Sequence, residues 1–176
     1  MIETHSLLLR KWKKSDLDPF AAMNRCKHVS EYLPKPLSRE ESDEFAEKII
    51  SRFAEDGLGL FAVERKDNGE FIGFNGLNIP RFSAHFMPAI EIGWRISYKN
   101  WGQGFATQSA KAVCSYAFNS LNVKEIVAFT TLANVRSRRV MEKIGMTHNP
   151  KDDFDHPNLL NDDQLKRHVL YRLLKK

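Results

Sequence analysis

One loop of this sequence combines the residue types that a phosphate-binding site needs. The alternating segment 90–96 runs into residues 100–107 (NWGQGFAT), which hold two glycines and open directly into a long predicted helix. Glycines have no Cβ atom, so the backbone N–H groups beside them can surround a small anion, and the positive end of the helix dipole adds its field. The sequence therefore predicts a phosphate or pyrophosphate site at this loop.

Two well-known phosphate-binding motifs do not fit the loop. A Walker P-loop needs Lys and then Ser or Thr after its second glycine, whereas Phe105 and Ala106 follow here. A dinucleotide fingerprint needs a third glycine where Thr107 stands, and an acidic residue at the end of the next strand. That strand ends in Thr130 and Thr131, which leaves a third kind of phosphate loop as the better match.

The third kind belongs to enzymes that bind acyl-CoA. Residues 100–107 resemble the acyl-CoA pyrophosphate loop of the GNAT N-acetyltransferases. Residues 131–146 (TLANVRSRRVMEKIGM) look like that family's Asn-x-x-Ser helix with its terminal Lys-x-Gly-Met. Residues 7–10, 154–157 and 168–171 are similar to the RimJ/RimL-like branch, which acetylates N-terminal amines of ribosomal proteins. The resemblance covers essentially the whole chain.

The resemblance implies acetyl-CoA as co-substrate, no metal ion, and direct attack by a substrate amine on the thioester. Backbone N–H groups of residues 102–107 would hold the pyrophosphate, while the edge of residues 94–96 would pair with the pantetheine arm like an added strand. A backbone N–H at that edge is the family's usual donor to the oxyanion, worth roughly 3 kcal/mol. The implied cofactor-binding residues are Trp94, Arg95, Ile96, Trp101, Gly102, Gln103, Gly104, Phe105, Ala106, Thr107, Asn134 and Ser137.

Glu91 is the candidate general base. It alternates away from the hydrophobic Ile90, Ile92 and Trp94, so its side chain belongs to the other face of the strand. A carboxylate acting through water suits an N-terminal amine, with a pKa of ~8, better than a lysine amine, with a pKa of ~10.4. The alternative is a strand carboxylate that faces solvent or pairs with Arg95.

Ser137 is the second catalytic candidate, as a hydrogen-bond donor to the leaving thiolate. It lies one turn into the helix after Asn134, which is expected to cap that helix and contact the pantetheine arm. The Tyr that serves as general acid in much of the superfamily would fall at Met141, which cannot donate a proton. Because a free thiol has a pKa of ~8.5, a hydrogen bond from Ser137 or a proton from solvent is sufficient to stabilise the leaving thiolate. The alternative for Ser137 is an ordinary helix position.

Strands and helices have to position these residues, and the sequence periodicity predicts them in the order β-α-α-β-β-β-α-β-α-β-β. The expected fold is mixed α/β (α+β), the GNAT fold, with one central sheet and an acyl-CoA cleft between two splayed central strands. The predicted strands are residues 7–12, 60–65, 71–79, 89–97, 125–131, 146–151 and 168–173. The predicted helices are residues 16–25, a helix opened by the capping box at 38–41, 104–121 and 135–144, the last ended by Gly145.

Length and composition favour one domain over residues 1–176, and the resemblance implies that it is an N-acetyltransferase domain. No apolar run approaches the ~20 residues of a membrane span, and the N-terminus lacks a signal-peptide pattern, which predicts a cytoplasmic protein. Cys26 and Cys114 are interpreted as buried or half-buried thiols. Residues 151–163 carry one lysine against five aspartates in a chain of net charge +5, so this stretch is expected to attract a cationic substrate.

The acceptor remains open among several classes. An amine substrate is expected, with a protein N-terminus as first candidate and polyamines, aminoglycosides or amino acids as alternatives. Because Met141 replaces the family's Tyr, a CoA-binding module without catalysis is another alternative, and the presence of Glu91 and Ser137 argues against it. The sequence lacks the aromatic pattern and the single basic face of an RNA-binding protein, so no direct nucleic-acid binding is expected. The expected oligomeric state is a monomer or a homodimer. The acceptor pocket is expected from segments 27–37, 80–88 and 151–163.

Overall fold

Nine strands form one continuous sheet in the computed structural model, which describes residues 1–175. The strands are β1 (Ile2–Glu3), β2 (Leu7–Arg10), β3 (Leu60–Arg65), β4 (Phe71–Asn78), β5 (Glu91–Ile96), β6 (Glu125–Thr131), β7 (Thr147–His148), β8 (Phe154–Asp155) and β9 (Arg167–Leu174). The helices are α1 (Leu17–Arg25), α2 (Lys27–Ser30), α3 (Arg39–Asp56), α4 (Phe105–Asn119) and α5 (Val135–Lys143). The mixed α/β fold class predicted from the sequence is confirmed.

The sheet is splayed at its centre. Its strand order is β1-β2-β3-β4-β5-β6-β9-β7, with β8 also paired to β9. All neighbours are antiparallel except β5 and β6, which are parallel and paired only at Glu91 and Val127. The β4–β5 ladder, by contrast, runs over six residue pairs from Gly73–Ile96 to Asn78–Glu91. Beyond Val127 the two parallel strands separate and open a cleft, as the sequence predicts.

Helices cover both faces of the sheet. One face packs against α4 and α5 in a buried cluster that includes Leu9, Ile92, Ala110, Val113 and Met141. The small residues predicted for the α4 face are there, because Ala110, Val113, Cys114 and Ala117 are all buried. The other face packs against α1 and α3 in a second cluster that includes Phe20, Met23, Ala46, Ile49 and Phe74.

The predicted helix ends follow from local sequence. Ser38 caps α3 in a capping box: the Glu41 backbone N–H donates to the Ser38 hydroxyl, and the Ser38 N–H donates to the Glu41 carboxylate at 2.8 Å. Asn134 caps α5 by accepting from the Ser137 N–H. At the other end of α5, the Gly145 N–H bonds to the Glu142 carbonyl and the Met146 N–H to the Met141 carbonyl, which is a Schellman motif.

Short elements are where the structure departs from the prediction. The expected strand 146–151 is only Thr147–His148, because a 3₁₀ turn at Pro150–Asp152 interrupts it. The expected loop 27–37 begins with the one-turn helix α2, and β1 and β8 are two-residue strands that no periodicity reveals. Cys26 is half-buried and Cys114 is buried. In the described part of the chain, no helix is long and apolar enough to cross a membrane.

Candidate active site

The cleft between β5 and β6 is a cavity of about 710 Å³, within the range of small-molecule sites. Residues from both faces of the sheet line it. The α4 and α5 side contributes the glycine loop and one face of α5, and the α1 and α3 side contributes side chains from residues 28–33 and from α3. The cavity therefore has two halves, named here the loop half and the acceptor half, which meet at the gap in the sheet.

The glycine loop leaves backbone N–H groups without side-chain partners at the start of α4. Gly102 and Gly104 have φ values of +75° and +80°, which glycine adopts without strain. Gly104 is the N-cap of α4 and provides no side chain to bond the first-turn N–H groups of Phe105, Ala106 and Thr107. All three residues line the cavity. Unsatisfied N–H donors at the positive end of a 15-residue helix favour a phosphate group.

Trp101 and Asn100 hold this loop against the sheet. The Trp101 indole N–H donates to the Ile96 carbonyl at 2.7 Å, which ties the loop to the last residue of β5. Asn100 is buried, and its amide donates to the Ser97 hydroxyl at 2.8 Å and to the Glu70 carboxylate at 3.2 Å. The loop is thus positioned by polar side chains that the sequence motif itself contains.

The backbone edge of β5 offers hydrogen-bonding groups to the cleft. The Ser97 N–H donates to the Ile72 carbonyl on the β4 side at 2.8 Å. Because N–H directions alternate along a strand, the N–H groups of Trp94 and Ile96 point to the opposite side, toward β6. Since β6 pairs with β5 only at Glu91, these two amides face the cleft. They form the open edge that an extended, amide-containing ligand can bind.

The face of α5 in the cleft carries one hydroxyl next to a thioether. Asn134, Ser137, Val140 and Met141 all line the cavity, because positions three and four apart share a helix face. The Asn134 side-chain amide also donates to the Thr130 hydroxyl at 2.9 Å, which fixes the start of the helix. Met141 is 2% exposed, so its side chain fills the floor of the loop half.

Glu91 lies at the gap, in the acceptor half. One carboxylate oxygen accepts from the Asn78 amide at 3.3 Å, and Asn78 in turn accepts from Arg52 at 2.9 Å. Burial raises the pKa of Glu91 to about 7, and the hydrogen bond from Asn78 and the charge of Arg52 only partly oppose that effect. Close to neutral pH, Glu91 thus exchanges a proton readily. It does not pair with Arg95, although that pairing is one of the alternatives that the sequence allows.

Arg95 shares the strand face of Glu91 and enters the acceptor half. Its guanidinium donates to the buried Asn24 at 2.6 Å and stacks over the rings of Phe45 and Phe74, with centroids 5.5 Å and 5.4 Å away. Desolvation by burial lowers the pKa of Arg95 to about 10, still well above neutral pH. The guanidinium is thus a fixed cation in the wall of the cavity.

The structure brings together nearly all residues predicted for the site. Glu91, Ser137, Asn134 and residues 94–96, 101, 102 and 104–107 line one cavity. Gln103 is exposed, and its side-chain amide instead donates to the Lys99 carbonyl at 3.4 Å. Arg95, expected at the cofactor edge, has its side chain in the acceptor half. Its backbone N–H points toward β4, not toward the cleft.

Sequence reasoning missed most of the acceptor half. The lining residues outside the predicted segment 27–37 include Phe45, Arg52, Phe74 and Asn78. One signal was available: Arg52 follows Phe45 and Ile49 at helical spacing, so a cation stands on the apolar face of α3. Asn24, four residues after Phe20 on α1, is a second buried polar residue of this kind.

The acidic segment 151–163 lies outside the cavity. Asp152 accepts from Arg172 at 2.8 Å and Asp153 contacts His148 at 2.7 Å, so both carboxylates have partners within the fold. Residues 80–88 and 151–163, all described by the structure, contribute nothing to the cavity lining. His156 of this segment and His168 of β9, which the branch resemblance would place near the acceptor and in a structural strand position respectively, join an aromatic cluster with Phe82 and Phe154. Of the three segments expected to form the acceptor pocket, only 27–37 does so.

Comparison with known proteins identifies the class of this protein. The chain matches the family model described as acetyltransferase (GNAT) domain over residues 6–147. It belongs to the GNAT acetyltransferase family and is an acetyl-CoA-dependent N-acetyltransferase.

Three similar proteins cover most of the chain. The uncharacterized N-acetyltransferase YoaA of Bacillus subtilis is 31% identical over 149 residues, which are 82% of this chain and 81% of YoaA. The uncharacterized N-acetyltransferase YnaD of the same organism is 29% identical over 145 residues, again 82% and 81%. A solved GNAT-family acetyltransferase from Bacillus anthracis superimposes with a TM-score of 0.81 at 25% identity, covering 98% of this chain and 97% of that one.

Proposed function

We propose that this chain transfers the acetyl group of acetyl-CoA to an α-amine, with a protein or peptide N-terminus as the first candidate. The observation that carries the proposal is a carboxylate with a pKa of about 7 at the gap where the two halves of the cavity meet. A base of that pKa takes a proton from an ammonium group at neutral pH and gives it up again to solvent.

The loop half fits acetyl-CoA. First-turn N–H groups of Phe105, Ala106 and Thr107, with no side-chain cap at Gly104, suit a pyrophosphate. The edge amides of Trp94 and Ile96 suit the amide-rich pantetheine arm, and acetyl-CoA supplies the activated acyl group when bound. A Cβ atom built on Gly102 or Gly104 would meet nothing within 4 Å, so open space lies where the phosphates are expected.

Glu91 acts on the proton of the amine, directly or through one water molecule. The bond that breaks is N–H of the ammonium group, and the freed lone pair then attacks the thioester carbonyl. A backbone N–H of Trp94 or Ile96 donates to the carbonyl oxygen as negative charge develops there. The Ser137 hydroxyl makes no hydrogen bond to any residue from 1 to 175, so it is available to donate to the sulfur that leaves.

The pKa of Glu91 favours an α-amine over a lysine side chain. Transfer of a proton from an ammonium group of pKa ~8 to a base of pKa about 7 costs about 1.4 kcal/mol. The same transfer from a lysine ammonium group of pKa ~10.4 costs about 4.6 kcal/mol. The pKa of Glu91 is therefore closer to that of the α-amine, which is the weaker base of the two amines.

Fold neighbours with named substrates include both kinds of acceptor. A ribosomal-protein-S5-alanine acetyltransferase from Vibrio fischeri has a TM-score of 0.75 at 20% identity, and a spermidine N-acetyltransferase from Vibrio cholerae has 0.70 at 20%. At this identity the likeness concerns the fold alone. Acetylation of a small amine is therefore the second candidate, and the cavity volume of about 710 Å³ admits it.

The test is CoA-thiol release from acetyl-CoA with a panel of α-amine peptides, lysine-containing peptides with blocked N-termini, and polyamines. Mass spectrometry then locates the acetyl group on the product. We expect acetylation of α-amines at pH 7 and little of ε-amines. Acetylation confined to ε-amines would contradict the proposed substrate, and no acetylation of any amine would contradict the function.

A further inference from the structure

The acceptor half contains two guanidinium groups, those of Arg52 and Arg95, that form no direct ion pair with a carboxylate of the described residues. Within residues 1–175, no carboxylate oxygen lies within 4.0 Å of a guanidinium nitrogen of Arg95 or Arg52. Their hydrogen-bond partners are the neutral amides of Asn24 and Asn78. In contrast, the buried Arg10 has two such partners, with Asp16 at 2.7 Å and Glu64 at 2.6 Å.

A partly buried guanidinium without an anion is expensive for the fold. Removing a charge from water costs several kcal/mol, and the two phenyl rings and one amide around Arg95 recover only part of it. Its five N–H donors form a planar fork, of which the structure accounts for the bond to Asn24. The remaining donors match a carboxylate, which guanidinium groups bind in a bidentate manner.

The charges of the whole cavity point the same way. Glu91 is the single carboxylate among the described residues that line it, whereas the lining cations are Arg52 and Arg95 in the acceptor half and Arg136, Arg139 and Lys143 on α5. Of these five, Arg136 is paired with the exposed Glu31. With its raised pKa, Glu91 is itself partly protonated at pH 7. A polycation would meet repulsion in the acceptor half, while an anionic group would meet attraction.

The strand geometry leaves room between base and cation. Glu91 and Arg95 lie four residues apart on one face of β5, so their Cα atoms are about 13 Å apart. Gly93 stands between them on that face, and a Cβ atom built on it would meet nothing closer than 4.0 Å. The floor between the carboxylate and the guanidinium is therefore open and has no side chain of its own.

We propose that the acceptor carries a carboxylate as well as its amine, and that Arg95 binds this carboxylate while Glu91 faces the amine. The inference rests on the proposed acetyl transfer and narrows its substrate class. The carboxylate has two possible sources, a free amino acid or the side chain of an N-terminal Asp or Glu in a peptide. Arg52, which reaches Glu91 through Asn78, adds positive potential to the same half.

The decisive measurement compares acceptors that are matched except for the carboxylate, with each rate expressed per concentration of unprotonated amine, because replacing a carboxylate by an amide also lowers the pKa of the neighbouring amine. One arm pairs peptides that begin with Glu or Asp with peptides that begin with Gln or Asn. The other arm pairs free amino acids with their amides. We expect kcat/KM to be at least about 10-fold higher for the carboxylate member of one arm, the size of a charged hydrogen bond. The arm that shows the preference identifies the source.

Variants assign the preference to Arg95. Arg95→Met should reduce the ratio between carboxylate and amide acceptors to about 1, and Arg95→Lys should keep part of it, because a point charge remains without the bidentate fork. Arg25→Met is the matched control: it removes the same charge from the exposed side of α1 and should leave the ratio unchanged. Acetyl-CoA should raise the melting temperature of all three variants.

The outcomes separate the two proposals. Acetylation of α-amines with equal rates for both members of every pair, or with the amide preferred, would overturn the carboxylate site and leave the transferase assignment standing. No acetylation of any amine would overturn both. If Arg95→Met does not fold, the ratio of the intact protein and the response of Arg95→Lys decide.

Discussion

At the scale of single residues, two ionisable side chains on β5 have different pKa values because their surroundings differ. Glu91 is desolvated and held by one amide, so its pKa rises to about 7. Arg95 is desolvated as well, but its pKa of about 10 keeps it charged at neutral pH. One group therefore exchanges protons under physiological conditions and the other does not, which suits one for proton transfer and the other for binding.

Glu91→Gln should lower kcat by about 10²-fold at pH 7, since the amide cannot accept a proton. The rate of the unmodified protein should rise through pH 7 as Glu91 loses its proton. The defect of the variant should shrink at higher pH, where the amine deprotonates unaided. A pH series of kcat with an α-amine peptide measures both effects. Unchanged rates at pH 7 would remove Glu91 from the mechanism.

The same substitution should change stability in the opposite direction. The pKa of Glu91 is raised from 4.5 to about 7 on folding, so the folded protein binds more protons than the unfolded chain between these values. Stability contributed by this group is present below pH 4.5 and is lost as pH rises through 7. Glu91→Gln should be more stable than the unmodified protein at pH 8, by on the order of 1–3 kcal/mol, and similar at pH 4. Urea titrations at both pH values measure the difference, and equal stability at pH 8 would show that Glu91 is well solvated.

At the scale of elements, we propose that the glycine loop and the start of α4 bind the pyrophosphate of acetyl-CoA together. Gly104→Glu should abolish the rise in melting temperature that acetyl-CoA causes, which for the unmodified protein corresponds to about 2.7 kcal/mol at a hundred times the dissociation constant. The added carboxylate would occupy the open space beside the first-turn N–H groups and repel phosphate.

The β3–β4 turn provides a control for this test. Gly69 has a φ of +70° and open space around it, like Gly104, but lies in that turn and not in the lining of the cavity. Gly69→Glu should therefore suffer a similar backbone strain and still respond to acetyl-CoA. Loss of the response in both variants would mean that strain, rather than charge, explains the result at Gly104.

Gly76 of β4 and Gly93 of β5 have opposite requirements for space. A Cβ atom on Gly76 would lie 2.1 Å from the Gly59 carbonyl oxygen, so Gly76→Ala should destabilise the fold by more than about 3 kcal/mol or prevent folding. Gly93→Ala meets no such contact and should change stability little while narrowing the floor of the acceptor half. Thermal unfolding of both, with KM of the acceptor for Gly93→Ala, tests the contrast.

At the scale of the whole molecule, a chain of net charge +5 has a cavity whose described lining contains five cationic side chains and one carboxylate. Phosphates of acetyl-CoA and the proposed carboxylate of the acceptor should both be attracted, and added salt should raise both KM values because it screens exposed charges. Steady-state kinetics at low and high sodium chloride concentrations measure this. Salt-independent KM values would show that the lining cations play no part in binding.

Asp152 and Asp153 have a different role from the one that the sequence suggests. Because they bind Arg172 and His148, reversal of both to Lys should destabilise the contacts around β7 and β9 without changing the preference among acceptors. Urea unfolding and the acceptor panel measure these two effects separately. A selective rise of KM for basic peptides would restore the original interpretation.

The sequence predicts the loop half far better than the acceptor half. Loop 100–107 and the Asn134 cap are local motifs, in which the residues that bind or cap are neighbours in the chain, so spacing alone identifies them. Arg95 meets Asn24 and Phe45 only after α1 and α3 have packed on the sheet. No period or motif encodes such contacts. The same limit explains why the paired aspartates looked free to bind a substrate.

The gap between β5 and β6 has a consequence for how this fold diversifies. Acetyl-CoA is expected on one face of the sheet. On the other face, α1, α3 and the segment between them surround the side chains of Glu91 and Arg95, which β5 supplies. Mutations in those outer elements can alter which amine is accepted while the donor site keeps its loop and helix intact. Related proteins can then differ in the amine they accept while all of them use acetyl-CoA. Strand β5 is the exception, because its residues contribute to both halves of the cavity and a change there affects both.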